Sequence, residues 1–225
     1  MNIKIAGENA LIIYFAEQAS PFVAQQVKQA QLIIKEVLGS KLVDFIPSYA
    51  SLLVVFDLGR TDHHSVRRLI RTCLAQITES EAAVGKMIEL PVYYGEDVGI
   101  DLSALARQAK LSIEEVIAIH QSVHYRVYAI GFAPGFAYLG DVDSRIAAPR
   151  LSTPRKKVPQ GAVAIADQQT AIYPSESPGG WNIIGRSPTK MFNPHTVQTM
   201  PVAVGDIVKF HAISQAEFIA LGGVL

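Results

Sequence analysis

From Tyr125 to Phe210 the chain runs in short apolar stretches that glycine and proline interrupt again and again. Stretches of this length cannot form a helix with a buried stripe. With turn residues at regular intervals they predict an all-β barrel or sandwich rather than parallel α/β units. Two of the interruptions are clusters in their own right, Gly131-Phe132-Ala133-Pro134-Gly135-Phe136-Ala137-Tyr138-Leu139-Gly140 and Tyr173-Pro174-Ser175-Glu176-Ser177-Pro178-Gly179-Gly180-Trp181. Proline fixes φ, glycine opens backbone shapes closed to other residues, and aromatic rings supply large rigid surfaces at small entropic cost. Together they make the walls of a pocket.

The segment before this region reads differently. Ile3 and Ile5, then Leu11, Ile13 and Phe15, have strand periodicity. Ser20 is placed as an N-cap with Pro21 at the first helical position, and Gly39 closes that helix. Leu52 to Phe56 reads as a buried strand, and Val66, Leu69, Ile70, Cys73, Leu74 and Ile77 recur at helical spacing. This predicts a small α/β sandwich over residues 1–80, with a linker at about Glu79 to Lys86, where periodicity is lost. The second domain is expected over 87–225. It opens with a strand, Met87 to Tyr94, and two leading helices capped by Asp101 and Ser112. Ser112 and Glu115 form a capping box, and Leu111 with Val116 a hydrophobic staple. The fold class expected is α+β.

Charge narrows the function classes. Twenty basic residues balance twenty acidic ones, so no global field favours nucleic acid or an anionic membrane. The two helices over Leu102 to Val116 have the cadence of a DNA-binding motif, but Glu114 and Glu115 in the would-be reading helix would repel phosphates. No stretch approaches the roughly 20 apolar residues that span a bilayer, and Phe218 to Leu225 reads as an apolar tail packed on the barrel or a partner. Met1 to Tyr14 lacks the pattern of a signal peptide, so a cytoplasmic protein is expected. The apolar fraction of 49% against 18% charged points to surface that meets a partner. The single cysteine, Cys73, reads as a small core residue. His63 and His64 lack the spacing of a metal site, and no metal is expected. Gly131 to Gly140 has neither a Walker ending nor a dinucleotide fingerprint.

With the intervening Thr153 to Val163 and the following Asn182-Ile183-Ile184-Gly185-Arg186, the two clusters resemble the family of the B subunit of bacterial ATP-dependent 5-oxoprolinase. That family includes proteins named sporulation kinase A inhibitors and is similar to one half of the carboxyltransferase region of urea carboxylase. The resemblance is specific from about His120 to Pro194 and collinear over the rest. It implies a cyclophilin-like barrel in a protein that works with two other 5-oxoprolinase components, a homologous C subunit plus a separate A subunit. The three convert 5-oxo-L-proline to L-glutamate with ATP hydrolysis. The resemblance implies a chain that is inactive alone and binds no cofactor, with ATP used by the complete complex. The alternatives are a histidine-kinase inhibitor working by protein binding and a carboxyltransferase-like component that uses a urea-derived amide. Prolyl isomerase activity would rest on fold analogy alone.

Candidate site residues follow from both readings. By spacing, His120 shares a face with Ile113, Val116 and Ile117 and reads as a core histidine. The resemblance instead makes it the candidate for proton transfer, near an ordinary pKa of about 6.5, with His124 second. Tyr125, Phe132, Pro134, Gly135 and Phe136 are expected to line the substrate cleft. Arg150, Arg155, Lys156 and Lys157 concentrate positive charge, and Arg155 is singled out to hold a carboxylate or a phosphorylated intermediate by paired hydrogen bonds, with Lys157 beside it. Gln169, Tyr173, Ser177 and Trp181 supply donors and an aromatic floor, while Gly179 and Gly180 allow close backbone approach. No nucleophile elbow accompanies Ser175 or Ser177. Gln160, Asp167 and Ala171 stand where many relatives are expected to have Ala, Gly and Gly.

Overall fold

The computed structural model describes residues 1–18, 20–75 and 85–225 and divides into two compact units, Met1–Val84 and Gly85–Leu225. The expected linker at Glu79 to Lys86 lies outside the described residues except for Gly85 and Lys86, as does the helical position expected at Ile77.

In the first unit, strands β1 (Asn2–Ile5), β2 (Ala10–Tyr14), β3 (Leu42–Ser48) and β4 (Ser51–Phe56) form an antiparallel sheet in the order β1-β2-β4-β3. Helix α1 (Pro21–Leu38) starts where the Ser20 side chain accepts a hydrogen bond from the Val23 amide, and it ends at Gly39, whose φ of 48° a side chain would resist. Helix α2 (His63–Leu74) is capped by Asp62. Alternation along β2 and β4 turns Leu11, Ile13, Leu52, Val54 and Phe56 to one face. That face meets Val27, Ala30, Ile34 and Leu38 of α1 and Val66, Ile70 and Leu74 of α2. Cys73 is partly buried against this core. Strand β3 escapes the hydrophobic pattern because Asp44 and Pro47 interrupt it, yet it pairs along β4 to the end.

The second unit is built on seven strands in the order β12-β9-β10-β7-β6-β13-β5. These are β5 (Met87–Val92), β6 (Tyr125–Ile130), β7 (Ala137–Gly140), β9 (Ala162–Ala166), β10 (Gln169–Ile172), β12 (Asn182–Arg186) and β13 (Ile207–Ala212). The two ends of this sheet are joined. Tyr93, just past β5, exchanges both backbone hydrogen bonds with Arg186 of β12 at 2.8 Å. The sheet is thereby closed into a barrel, as the glycine-punctuated runs predict. Helices α3 (Leu102–Ala109) and α4 (Ile113–Ser122) precede β6, and Leu102, Leu105, Val116 and Ile119 join the inward core with Val127, Leu139, Val163, Ile165, Ile172, Ile184 and Phe210.

Strand β9 is buried along its whole length, with Val163 and Ile165 inward and Ala162, Ala164 and Ala166 outward. The outward alanines form a second core with Phe136, Tyr173, Trp181 and Ile183. A two-stranded ribbon of β8 (Arg155–Val158) and β11 (Ser177–Gly179) contributes Val158 to it. The apolar tail expected from Phe218 to Leu225 begins within a helix, α5 (Gln215–Ala220), with a complete Ser214–Glu217 capping box. Its Phe218 is buried beside Tyr93 at a ring separation of 5.8 Å. Among the described residues no helix is long and apolar enough to cross a membrane.

Candidate functional site

The turn between β6 and β7 is tied by Gly131 N–H to the Phe136 carbonyl and by Phe136 N–H to the Ala133 carbonyl, both at 3.0 Å. Inside it Phe132 takes a φ of 73°, which disfavours a bulky side chain, and remains 70% exposed. Gly135 has φ 89°, and a Cβ there would come within 2.7 Å of the Phe192 Cβ, so the turn seats on residues 191–192 only with glycine. Pro134 is exposed between them. The rings converge on Phe136: Phe132 lies edge-on at 5.5 Å, Tyr138 at 4.8 Å, Tyr173 at 5.2 Å and Trp181 at 5.6 Å. The two sequence clusters are therefore one aromatic assembly on the outer face of the barrel.

The Arg150 guanidinium lies over the Trp181 ring at 5.8 Å. Burial pushes the Tyr173 phenol up to about 12 and the Tyr138 phenol in the same direction, and Arg150 opposes both shifts. Among the described residues Arg150 has no carboxylate partner within ion-pair distance. It is the cation of this assembly that faces a ring, while Arg155 also opposes the Tyr173 shift.

Arg155, singled out from sequence, is held by an ion pair and a backbone carbonyl. Its Nη2 donates to Asp101 Oδ1 at 2.6 Å and its Nη1 to the Trp181 carbonyl at 3.4 Å, while Asp101 Oδ2 accepts from the Ile183 amide at 2.7 Å. Asp101 sits at the N-cap position of α3, yet its carboxylate makes no capping bond and instead joins α3, β8 and β12. Lys157 pairs with Glu176 at 3.1 Å in the open, an arrangement that contributes little. At Gly179 the Tyr173 hydroxyl fills the space a Cβ would need. The Gly180 carbonyl accepts from the Leu151 amide at 2.7 Å. Ser177 pairs with Val158 in the ribbon, and Gln169 lies in β10 opposite Gly140 and Ala166.

His120 and Tyr125 are not part of this surface. Thr170 and Ile172 of β10 point inward and Ala171 and Tyr173 outward, and His120 is on the inward side. It is fully buried, stacked on Phe210 at 4.7 Å, with Nδ1 2.8 Å from the Tyr94 hydroxyl and Nε2 3.1 Å from Thr170 Oγ1. The Tyr125 hydroxyl donates to the His120 carbonyl at 2.9 Å. The ordinary pKa expected for His120 does not hold, since burial pushes it down to about 3. His124 is exposed between α4 and β6. Sequence reasoning placed Arg150 among four basic residues without choosing it and left Tyr138, Tyr94, Thr170 and Asp101 without a site role. Only the barrel register brings these side chains to their partners.

Residues 1–202 match the family described as carboxyltransferase domain, subdomain C and D. The chain is 39% identical to the B subunit of 5-oxoprolinase from Bacillus subtilis over 226 residues, covering 96% of this chain and 94% of that protein. The solved structure of TTHA0988 superposes with a TM-score of 0.77 at 34% identity over 92% of this chain, which spans 40% of that longer one. The urea amidolyase of Kluyveromyces lactis shares the fold, with a TM-score of 0.79 at 16% identity, over 97% of this chain and 15% of its own. Identity at this level, along nearly the whole length of a curated relative, means that the chain belongs to the family of 5-oxoprolinase B subunits.

Proposed function

We propose that this chain is the B subunit of an ATP-dependent 5-oxoprolinase that works with the A and C subunits to convert 5-oxo-L-proline to L-glutamate, and that it is inactive alone. The observation that carries this reading is 39% identity to the B subunit of the Bacillus subtilis 5-oxoprolinase over 96% of the chain. The reaction adds water across the lactam: the ring C–N bond breaks, the carbonyl carbon takes the water oxygen, and the nitrogen takes a proton. An unactivated amide resists this; phosphoryl transfer from ATP to the lactam oxygen, with ADP leaving, would activate the carbon toward one water, the ring C–N bond would break to leave an acyl phosphate, and a second water would release phosphate.

Binding and positioning fall to this chain in our reading. Arg150 takes the substrate carboxylate by charge-assisted hydrogen bonds, and the rings of Phe132 and Tyr138 receive the apolar edge of the five-membered ring. Arg155 and Asp101 hold the ribbon beneath them. His120, neutral and hydrogen-bonded at both nitrogens, positions β10 from inside the barrel. A cytoplasmic location suits a complex that consumes ATP.

Glutamate formation from 5-oxoproline and ATP, measured with this chain and its cognate A and C partners and with each one omitted, tests the reading. Activity only with all three is expected; turnover undiminished without this chain would overturn it. The carboxyltransferase-like alternative is favoured by the family description and the urea amidolyase fold. It would be chosen if the assembly carboxylates a urea-derived amide and leaves 5-oxoproline untouched.

A further inference from the structure

A separate cavity of about 80 Å³ lies where the end of β12 and the turn after it meet the residues following α5. Arg186, Ser187, Thr189 and Lys190 line it, with Gln160 and Gly222. A water molecule takes up about 30 Å³ of the liquid. The space therefore suits one small ion or the terminal group of a ligand, and excludes a nucleotide or an entire substrate ring.

Its charge is one-sided. Two cations line the cavity and no aspartate or glutamate does. Among the described residues neither Arg186 nor Lys190 forms an ion pair. Arg186 is half-buried, and burial lowers its pKa, so its charge is partly stripped of water. Its Nε donates to the Gln160 carbonyl at 3.0 Å, and its backbone is clamped in both directions to Tyr93 at 2.8 Å. The guanidinium thus rides on the strand that closes the barrel, and among the described residues its terminal nitrogens meet no acceptor. A partly desolvated cation with no counter-charge from the protein favours an anionic ligand.

The hydroxyls add donors. Ser187 Oγ accepts the Thr189 amide at 3.2 Å, which leaves its proton to donate, and the Thr189 hydroxyl has no partner among the described residues. Gly161, at φ 82°, lets the neighbouring segment approach this wall, since a Cβ there would stand 2.5 Å from the Ser187 carbonyl oxygen. Two cations and two hydroxyls match a tetrahedral dianion better than a planar carboxylate, which carries one charge. We propose that this cavity is a phosphate-binding site formed by Arg186, Lys190, Ser187 and Thr189. It is distinct from the aromatic assembly and does not depend on the identity of the substrate held there.

The test is a titration of the ¹⁵N-labelled full chain with inorganic phosphate at constant ionic strength, followed by amide and arginine Nε–H resonances. Saturable shifts confined to residues 160–161, 186–190 and 222–224 are expected, with sodium acetate leaving them unmoved. Lys190→Ala, an exposed change that leaves the barrel intact, should weaken the phosphate response roughly tenfold. Arg186→Gln should abolish it while the remaining resonances stay in place. If Arg186→Gln does not fold, the Lys190→Ala result decides. Shifts that do not saturate, an affinity unchanged in Lys190→Ala, or an equal response to acetate would each overturn the proposal.

Discussion

Thr170 gives its hydroxyl proton to the Ala164 carbonyl at 3.0 Å, so toward His120 it can only accept. Nε2 must then carry the imidazole proton, and Nδ1 is left to accept from the Tyr94 hydroxyl. The chain of donors runs one way, from Tyr94 through His120 and Thr170 to Ala164, and adding a proton at Nδ1 would break it. Burial pushes the folded pKa down to about 3 while the unfolded chain titrates near 6.5. Between those values the unfolded state binds more protons, so stability is full above about pH 6.5 and falls as the pH drops toward 3. The expected slope is at most roughly 1.4 kcal/mol per pH unit. Denaturant unfolding of the wild type and His120→Gln across this window should show a flatter dependence in the variant; parallel curves would refute the assignment. That His120 is buried was legible in its apolar helix face. Its partners, 26 and 50 residues away, were not, because barrel register alone brings them together. A similar limit applies to Asp167, which stands where glycine was expected and takes a φ of 52° in the turn between β9 and β10.

At the scale of elements, local signals were read well where they are chemically redundant. Ser112 and Glu115 cap α4 reciprocally as the sequence predicts, and Ser112→Ala should cost about 1 kcal/mol in a thermal or denaturant unfolding measurement. The same box at Ser214 and Glu217 went unread because only six helical residues follow it, too few to show a period. Asp101 misleads for another reason: its position is that of a cap, but its carboxylate answers to a strand amide and a guanidinium far along the chain. This separates two arginines that look equivalent in sequence. The side chains of Arg155 and Asp101 are 26% and 12% exposed, so removing one partner leaves a poorly hydrated charge behind. Arg155→Ala is expected to cost about 3 kcal/mol in unfolding free energy. Arg150→Ala, at an exposed position, should change stability by less than about 1 kcal/mol while weakening 5-oxoproline binding to the assembled enzyme in calorimetry. The reverse pattern, with Arg155 silent in stability and Arg150 silent in binding, would return the carboxylate to Arg155.

For the whole molecule, the barrel class was legible because the apolar runs between Tyr125 and Phe210 were short and divided by glycine and proline. Its closure was not legible, since the joining residues, Tyr93 and Arg186, lie on segments that no local pattern relates. Closure also explains Gly185: a Cβ there would meet the Tyr93 carbonyl at 2.7 Å and the Val92 side chain at 3.0 Å, which lie across the seam. Gly185→Val should therefore strain the seam and cost about 1–3 kcal/mol. Leu52 is fully buried in the core of the first unit, and Leu52→Ala should cost about 2–5 kcal/mol. Each unit has its own hydrophobic core, with β2, β4, α1 and α2 filling one and the seven-stranded barrel filling the other. Cooperativity follows shared burial, so scanning calorimetry of the whole chain is expected to resolve two transitions. Leu52→Ala should lower one of them and Gly185→Val the other. If either substitution moved both transitions together, the two cores would be melting as a single cooperative unit, and stability in this protein would have to be argued for the chain entire.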